Sequence, residues 1–275
     1  MSVRLKLRAA PLVRLDASCV RPDAFATLKE AEIARLAVWH GREEARLGDF
    51  FDVEGGASDD VRISGDLGRI THLGAAMSGG RLVVEGRAGL HTGSAMTGGE
   101  LRIEGDADDY TGALMKGGVI DVRGNAGAQL GGAYAGSAPG MTGGVILVRG
   151  TAGDHAGERM RRGLIAVGGD AGPYAGARMI AGTVIVCGSL GPGPGLGLKR
   201  GTLVAGGAVE LLPTFRYACA YRPGFLALLF RSLEGRGFAV PERFASGCFL
   251  RYGGDFADMG RGEILQWASG SKGAH

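Results

Sequence analysis

A short unit recurs along about half of this chain, and its period limits the possible fold more than any other feature. Each unit holds five residues that alternate like a β-strand, usually after Gly-Gly or Arg-Gly, and then a closing glycine. Five of the seven steps between closing glycines are nineteen residues, the first is twenty-one and the fourth is twenty-six. Such self-similarity is typical of solenoids, whose stacked repeats share one core. The closing glycines are Gly65, Gly86, Gly105, Gly124, Gly150, Gly169, Gly188 and Gly207.

The alternation within each unit predicts two internal aliphatic ladders. The second and fourth strand positions are aliphatic throughout, from Val61 and Ile63 in the first unit to Leu203 and Ala205 in the last. Because alternate residues share one face of a strand, stacked units would bury both positions together. We therefore expect an all-β solenoid, a right-handed parallel β-helix of about seven coils over residues 58–210. Residues 1–57 would form an N-terminal strand and helix extension, and residues 211–275 a C-terminal capping segment with a short helix.

A column of long apolar side chains comes a few residues before each strand. Unbranched methionines there are expected to fill the corner of the core rather than to bind a cofactor. The glycines are expected to serve the sharp turns of each repeat, because glycine adopts positive φ without penalty. The apolar column contains Met77, Met96, Met115, Met141, Met160, Met179 and Leu198.

The central strand position, which should point outward, changes character along the chain. It is mostly charged in the early units and apolar in the late ones, and an exposed apolar stripe requires a cover. One candidate is the C-terminal segment, where residues 223–233 are predicted to form an apolar helix; the other is a partner protein. The column contains Arg62, Val83, Arg102, Asp121, Leu147, Ala166, Ile185 and Val204.

The N-terminal segment lacks the repeat. Val3–Leu7 alternates like a strand, and apolar spacing predicts a helix that begins at Pro22 and continues through Trp39 to a stop at Gly41. A second short helix is predicted over residues 43–47.

Composition excludes several classes of protein. A net charge of +3 argues against a nucleic-acid partner. The longest apolar run, residues 225–230, is too short to cross a membrane, and the N-terminus does not resemble a signal peptide. The four cysteines lack a C-x-x-C pair, so we expect a reduced, cytoplasmic chain without a zinc or iron–sulfur site. Neither a nucleophile motif nor a dinucleotide fingerprint occurs, which predicts no catalytic residues and no cofactor in this chain.

An aromatic column lies five residues before each methionine. Neighbouring His72 and His91 are compatible with a metal or acid–base pair, which would make the chain an enzyme. The alternative is an aromatic stack, and it is favoured because the column has no carboxylate and tyrosine replaces histidine in two units. The column contains His72, His91, Tyr110, Gly136, His155, Tyr174 and Gly193.

The turn edge of the late units is cationic. The register predicts Arg159 beside Arg178, and the early units have glycine where Arg162 stands. This edge is either an ordinary solvated surface or a surface that binds anions, such as an acidic partner face or a polyanionic ligand. The remaining predicted neighbours are Arg161 with Lys199 and Arg162 with Arg200. Another outward column, expected to form surface ion pairs of little energy, contains Glu85, Glu104, Arg123 and Arg149.

The repeats resemble the G-x-x-G-x-x-x-G family of β-helices. The resemblance rests on segments such as Met77-Ser-Gly-Gly and Met96-Thr-Gly-Gly, each followed by a strand and Gly-x-Ala-Gly. The family includes the C subunit of formylmethanofuran dehydrogenase and the C-terminal domain of the glutamate synthase large subunit. The segment Gly48-Asp-Phe-Phe-Asp-Val-Glu-Gly favours the dehydrogenase's C subunit over the synthase domain, and it extends the likeness to nearly the whole chain.

The resemblance implies a scaffold subunit without catalytic residues. Its bacterial version belongs to a formyltransferase/hydrolase complex, which moves a formyl group from a tetrahydromethanopterin carrier to a methanofuran-like carrier and releases formate. Partners would be formyltransferase, amidohydrolase-like and dehydrogenase-like subunits, with zinc in the hydrolase. The methanogen version carries tungsten or molybdenum, and a synthase-type module of amino-acid metabolism is a further alternative. The composition favours the bacterial version, and polyglutamyl tails of such carriers are candidate ligands for the arginine edge.

Overall fold

The N-terminal segment supplies strands to two different sheets. The computed structural model describes residues 2–137 and 139–268. Val3–Leu7 is a strand, as predicted, but the single long helix and the helix over residues 43–47 are wrong. Trp39 lies in a strand that pairs with strands on both sides, so hairpin pairing overrides the helical spacing. The elements are β1 (Val3–Leu7), β2 (Leu15–Asp16), α1 (Pro22–Phe25), α2 (Glu30–Ala34), β3 (Ala37–His40), β4 (Glu43–Arg46), α3 (Leu47–Phe50) and β5 (Phe51–Glu54).

All eight predicted repeat strands are present, and each lies parallel to the strand of the next repeat in one large mixed sheet. The repeat strands are β6 (Asp60–Ser64), β8 (Arg81–Glu85), β9 (Glu100–Ile103), β10 (Val119–Val122), β11 (Val145–Val148), β12 (Leu164–Val167), β13 (Thr183–Val186) and β14 (Arg200–Ala205), with β7 (Ile70–Thr71) between the first two. Three C-terminal strands follow them: β15 (Arg216–Tyr221), β16 (Phe249–Gly254) and β17 (Arg261–Trp267). The sheet order is β15-β16-β17-β14-β13-β12-β11-β10-β9-β8-β6-β1-β5, and β4-β3-β2-β7 forms a second sheet.

Both predicted aliphatic ladders are confirmed. Val61 pairs with Leu82 and Val184 with Leu203 across neighbouring strands, and all sixteen ladder side chains are fully buried. The methionine column is also fully buried beside them. A second line of parallel bridges joins the alanines of the Gly-x-Ala-Gly segments, from Ala88 to Ala171 and on to Leu190. Successive repeats therefore contact each other on more than one side of the core.

The glycines of a repeat serve two different purposes. The second glycine of a Gly-Gly pair has positive φ, as at Gly118, where φ is 87°. Most closing glycines lack positive φ and instead allow close approach between repeats. At Gly105 an added Cβ would lie 2.8 Å from the carbonyl carbon of Gly86, so a larger residue would push the repeats apart.

The C-terminal segment covers the apolar stripe of the late repeats, which confirms the first of the two candidate covers. Leu147 and Ile185 are at most 1% exposed, although they point away from the internal ladders. They pack in a second core with Leu226, Phe230 and other apolar residues from residues 224–248, a segment that we name the C-terminal cover. Its elements and the flanking strands are β15 (Arg216–Tyr221), α4 (Gly224–Glu234), α5 (Glu242–Ser246), β16 (Phe249–Gly254) and β17 (Arg261–Trp267).

An ion cluster lies where the charged and apolar halves of the outer face meet. Arg149 Nη2 lies 3.1 Å from Asp121 Oδ1, and its guanidinium carbon lies 5.2 Å from the centre of the Phe238 ring. Arg149 also donates to the carbonyl of Gly237. These contacts attach the C-terminal cover to the sheet at its boundary. None of the helices in the described ranges combines the length and the apolar character that a membrane span requires.

Candidate functional site

The sequence predicts six cationic side chains at the turn edge of the late repeats. Four of them line one pocket, which we name the basic pocket. Arg161 and Arg162 come from the turn before β12, Lys199 comes from the turn before β14, and Arg200 is the first residue of β14. The pocket encloses about 350 Å³. The residues meet because backbone hydrogen bonds keep the turns in register: Arg161 N donates to Met141 O at 2.8 Å, and Lys199 N donates to Met179 O at 2.9 Å.

The basic pocket has surplus positive charge. All four cations are exposed, and Lys199 has one weak partner, Asp258, with Nζ and Oδ2 4.0 Å apart. Within the described part of the chain, the three arginines have no carboxylate within ion-pair distance. Ile180, Ala181 and Met259 supply an apolar lining. Unpaired guanidinium groups match carboxylates and phosphates in geometry and charge, so this pocket can hold an anion.

Arg159 and Arg178 belong to a separate cluster, around Glu158. Arg159 Nε lies 3.8 Å and Arg178 Nη1 lies 3.9 Å from Glu158 Oε1, so their charge is partly compensated. The Glu158 side chain is only 14% exposed and accepts a hydrogen bond of 2.8 Å from Gln129 Nε2. The predicted basic edge therefore divides into an unpaired pocket and a paired cluster. Register alone could not reveal this, because it does not show which way Glu158 points.

The predicted aromatic stack is confirmed in the turns of the early repeats. The ring centres of His72 and His91 are 4.6 Å apart and nearly parallel, and His91 stacks on Tyr110 at 5.2 Å. His155 and Tyr174 form a second stack. The assignment of Gly136 to this column is wrong, because the seven extra residues follow Gly131. Gln129 takes the position instead, with the same positive φ as the aromatic residues, and interrupts the stack.

The histidines of the stack have partners that fix their rings. His72 Nδ1 lies 3.1 Å from Asp16 Oδ2, and this hydrogen bond lowers the pKa of Asp16 to about 2. His91 Nδ1 lies 3.1 Å from the hydroxyl of Tyr134, a contact that sequence reasoning missed because Tyr134 lies in the inserted residues. Burial, followed by the nearby His72, lowers the pKa of His91.

Among the described residues, the histidine pair of the stack has no third side chain placed to complete a metal-ligand set. The described residues contain no group of three histidine, cysteine, aspartate or glutamate side chains arranged to hold an ion. The two histidines direct their Nδ1 atoms to different partners, Asp16 and Tyr134.

The outward charged column forms local surface pairs: Arg62 with Glu85 at 3.5 Å and Arg102 with Glu104 at 2.6 Å. In each pair, a glutamate from the position before the closing glycine contacts an arginine from the central strand position. The sequence did not indicate this pairing between the two columns.

Stacked parallel strands, buried aliphatic ladders and a basic pocket on the turn edge define a β-repeat protein whose surface is suited to binding. No family model matches the sequence. The C subunit of molybdenum-containing formylmethanofuran dehydrogenase 1 from Methanosarcina barkeri is 38% identical over 83 residues, 28% of this chain and 28% of the relative. The C subunit of the formyltransferase/hydrolase complex Fhc from Methylorubrum extorquens is 42% identical over 85 residues, 31% of this chain and 32% of the relative. The chain thus aligns with about a third or less of these curated relatives.

The structural comparison extends over nearly the whole chain. A chain in the crystal structure of the formyltransferase/hydrolase complex FhcABCD from Methylorubrum extorquens, in complex with methylofuran, matches with a TM-score of 0.90 and 40% identity. The match covers 97% of this chain and 100% of that chain. This protein therefore belongs to the family of C subunits found in formylmethanofuran dehydrogenases and formyltransferase/hydrolase complexes.

Proposed function

We propose that this chain is a non-catalytic scaffold subunit of a cytoplasmic formyltransferase/hydrolase complex. The complex would pass a formyl group from a tetrahydromethanopterin carrier to a methanofuran-like carrier and release formate. The observation that carries the proposal is the full-length match to a chain of the FhcABCD complex at 40% identity. Four free cysteines in the described structure agree with a reducing compartment.

The alternative is the C subunit of a tungsten or molybdenum formylmethanofuran dehydrogenase. It is supported by the aligned segments of such subunits, at 38% identity for the Methanosarcina relative. The segment aligned with the Fhc relative reaches 42% identity over 85 residues, and the structural match is also to an Fhc complex. Both observations favour the formyltransferase/hydrolase reading, and they favour it over a glutamate synthase-type module.

The scaffold role follows from the architecture that we infer for the repeats. Parallel strands one repeat apart, joined by a second line of bridges, support a right-handed parallel β-helix of about seven coils. Such a rod presents long surfaces of fixed geometry to several partners at once. The partners would be formyltransferase, amidohydrolase-like and dehydrogenase-like subunits. The zinc of the hydrolase and the methanofuran-like carrier's reacting end would then be held by those subunits.

Purification of the tagged chain from its native host tests the assembly. We expect formyltransferase, amidohydrolase-like and dehydrogenase-like subunits to co-purify and to be identified by mass spectrometry. Metal analysis separates the two versions, because stoichiometric tungsten or molybdenum would identify the dehydrogenase. A purified single chain that turns over a formyl carrier, or loses bound zinc in a His91→Ala variant, would overturn the scaffold reading.

The basic pocket gives the scaffold a second role in this proposal. Arg161, Arg162 and Arg200 have surplus charge, and a polyglutamyl tail on the carrier would bring closely spaced carboxylates to match it. The paired cluster of Arg159 and Arg178 would lie beside the tail's path and contribute less, because Glu158 compensates its charge. An acidic surface of a partner subunit is the other anion that this pocket could bind.

Charge reversal distinguishes these readings. We expect Arg161→Glu with Arg162→Glu to slow carrier-dependent formyl transfer in the intact complex by about tenfold. A control pair, Arg35→Glu with Arg42→Glu, reverses two charges outside the pocket and should leave transfer unchanged. Loss of a subunit from the variant complex would indicate a partner surface, and unchanged transfer would remove the carrier role.

A further inference from the structure

The two edge strands of the large sheet differ in what covers them. At one end, β5 packs against α2 and α3, and the adjoining backbone N–H of Gly55 donates to Glu30 Oε2 at 3.0 Å. At the other end, β15 pairs with β16 alone. Among the described residues, nothing bonds to the outer backbone edge of β15. An unpaired edge strand presents a row of backbone donors and acceptors that another strand can complete.

The edge strand β15 is accessible on both of its faces. Its first five residues are all exposed, including Tyr217, which is 56% exposed. A register shift between Tyr217 and Cys219 marks a bulge at Ala218. The bulge interrupts the edge, so an added strand would pair regularly over a short stretch of three or four residues beside it.

Charge selects the kind of strand that fits. Arg216 and Arg222 flank the edge, and no acidic residue lies between them. If two copies of β15 paired antiparallel about the centre of the edge, these arginines would come close to each other and repel. An extended segment with acidic residues at its ends would instead bring opposite charges together. The edge therefore disfavours a second copy of this chain and fits an acidic strand from a different protein.

We propose that β15 docks a short, acidic, extended segment of another subunit, which would extend the sheet by one strand. This inference rests on the proposed assembly into a multi-subunit complex and names one of its contacts. Backbone hydrogen bonds would supply the affinity, and the two arginines would select the partner and its register. The proposed contact lies on the sheet edge beyond β16, apart from the basic pocket.

Cys219 provides a native reporter, because it is exposed in the middle of the edge while Cys187 is buried. Because Cys19 and Cys248 are partly exposed, labelling uses a Cys19→Ser, Cys248→Ser background. Labelling with a maleimide should then be fast for Cys219 in the separated chain. We expect the rate to fall about tenfold or more in the purified complex, because an added strand shields the residue. In parallel, Arg216→Glu with Arg222→Glu should weaken subunit association about tenfold, measured by the salt concentration at which the complex dissociates. Arg231→Glu with Arg236→Glu is the matched control and should leave association unchanged.

The outcomes separate this contact from the assembly itself. If Cys219 is labelled as fast in an intact, active complex as in the separated chain, the proposed strand docking at β15 is overturned and the scaffold proposal stands. Slow labelling of Cys219 in the separated chain also overturns the proposed docking. If removal of residues 269–275 then makes labelling fast, these residues occupy the edge. If dilution makes labelling fast, a second copy of the chain occupies it. Failure of the wild-type chain to co-purify with any subunit overturns the assembly, and the edge contact with it.

Discussion

The outer faces of the early and late repeats differ although their inner faces are the same. Both halves bury the same kind of aliphatic ladders. Outside, β6 and β9 carry Arg62 and Arg102 in surface ion pairs, whereas β12 and β13 carry Ala166 and Ile185 under the C-terminal cover. The comparison shows that one repeat can supply both a solvated wall and a second core. The choice depends on a single position per strand, because that position alone points outward from the middle of the strand.

The covered stripe also limits where the late repeats can meet a partner. The apolar stripe and the cationic turn edge of the late repeats together predict contact with neighbouring subunits over residues 145–207. That stripe is occupied by the chain's own C-terminal cover, so an interface in this region would use surface outside the stripe, such as the turn edge with its basic pocket.

The largest expected effect comes from a charge placed under the cover. Ile185→Asp buries a carboxylate without a partner, so we expect the free energy of unfolding to fall by about 4 kcal/mol or more. Arg102→Asp at the equivalent early position should cost less than about 1 kcal/mol, because that side chain is 31% exposed and keeps its access to water. Urea denaturation of the two variants measures the difference. Equal losses would mean that the cover does not seal the late stripe in solution.

A smaller effect is expected at the boundary between the halves. Arg149→Ala removes the contacts to Asp121, Gly237 and Phe238, and it leaves the buried Asp121 with fewer partners. We expect a loss of about 2 kcal/mol and faster proteolytic cleavage within residues 235–240. Arg123→Ala, which removes a more exposed partner of the same carboxylate, should cost about half as much. Unchanged proteolysis in the Arg149 variant would show that the cover is held by apolar packing alone.

The smallest effect concerns the early edge, where Asp16 contacts the aromatic stack. The folded-state pKa of Asp16 lies at about 2, below its ordinary 3.8. The ionised carboxylate therefore stabilises the fold fully above pH 3.8, and this contribution is lost as the pH falls through about 2. Because Asp16 is partly exposed, we expect Asp16→Asn to cost about 1 kcal/mol at pH 7. The difference from wild type should shrink between about pH 4 and pH 2 in urea titrations.

A control belongs with the pH series. Asp52→Asn removes an exposed pair with Arg8, in which both side chains are more than half exposed, and should change stability little at any pH. A constant difference between Asp16→Asn and wild type down to about pH 2 would show that the carboxylate's charge is not what His72 stabilises.

Local pattern predicted the repeat strands and β1, and it failed for the long helix and for residues 43–47. The strands follow from the alternation of aliphatic residues in eight successive units. Only stacking of these units buries the second and fourth positions of every strand. The spacing from Phe25 to Trp39 matches a helix equally well, but Trp39 lies in a hairpin that joins β2. Such pairing between distant segments has no signature in the spacing. The same limit explains the aromatic column, where counting back from Met141 crossed the insertion and selected Gly136 in place of Gln129.

The sequence by itself determined the stacked strands, the two ladders, the buried methionine column and the change of the outer face after β10. These depend on side-chain periodicity, which the chain carries residue by residue. Only the tertiary structure decided that the chain's own C-terminal cover closes the stripe, that Glu158 compensates Arg159 and Arg178, and that the basic pocket keeps its surplus charge. Each of these depends on which side chains meet across repeats or between distant segments, and the direction of a side chain at a turn is set by its packed neighbours.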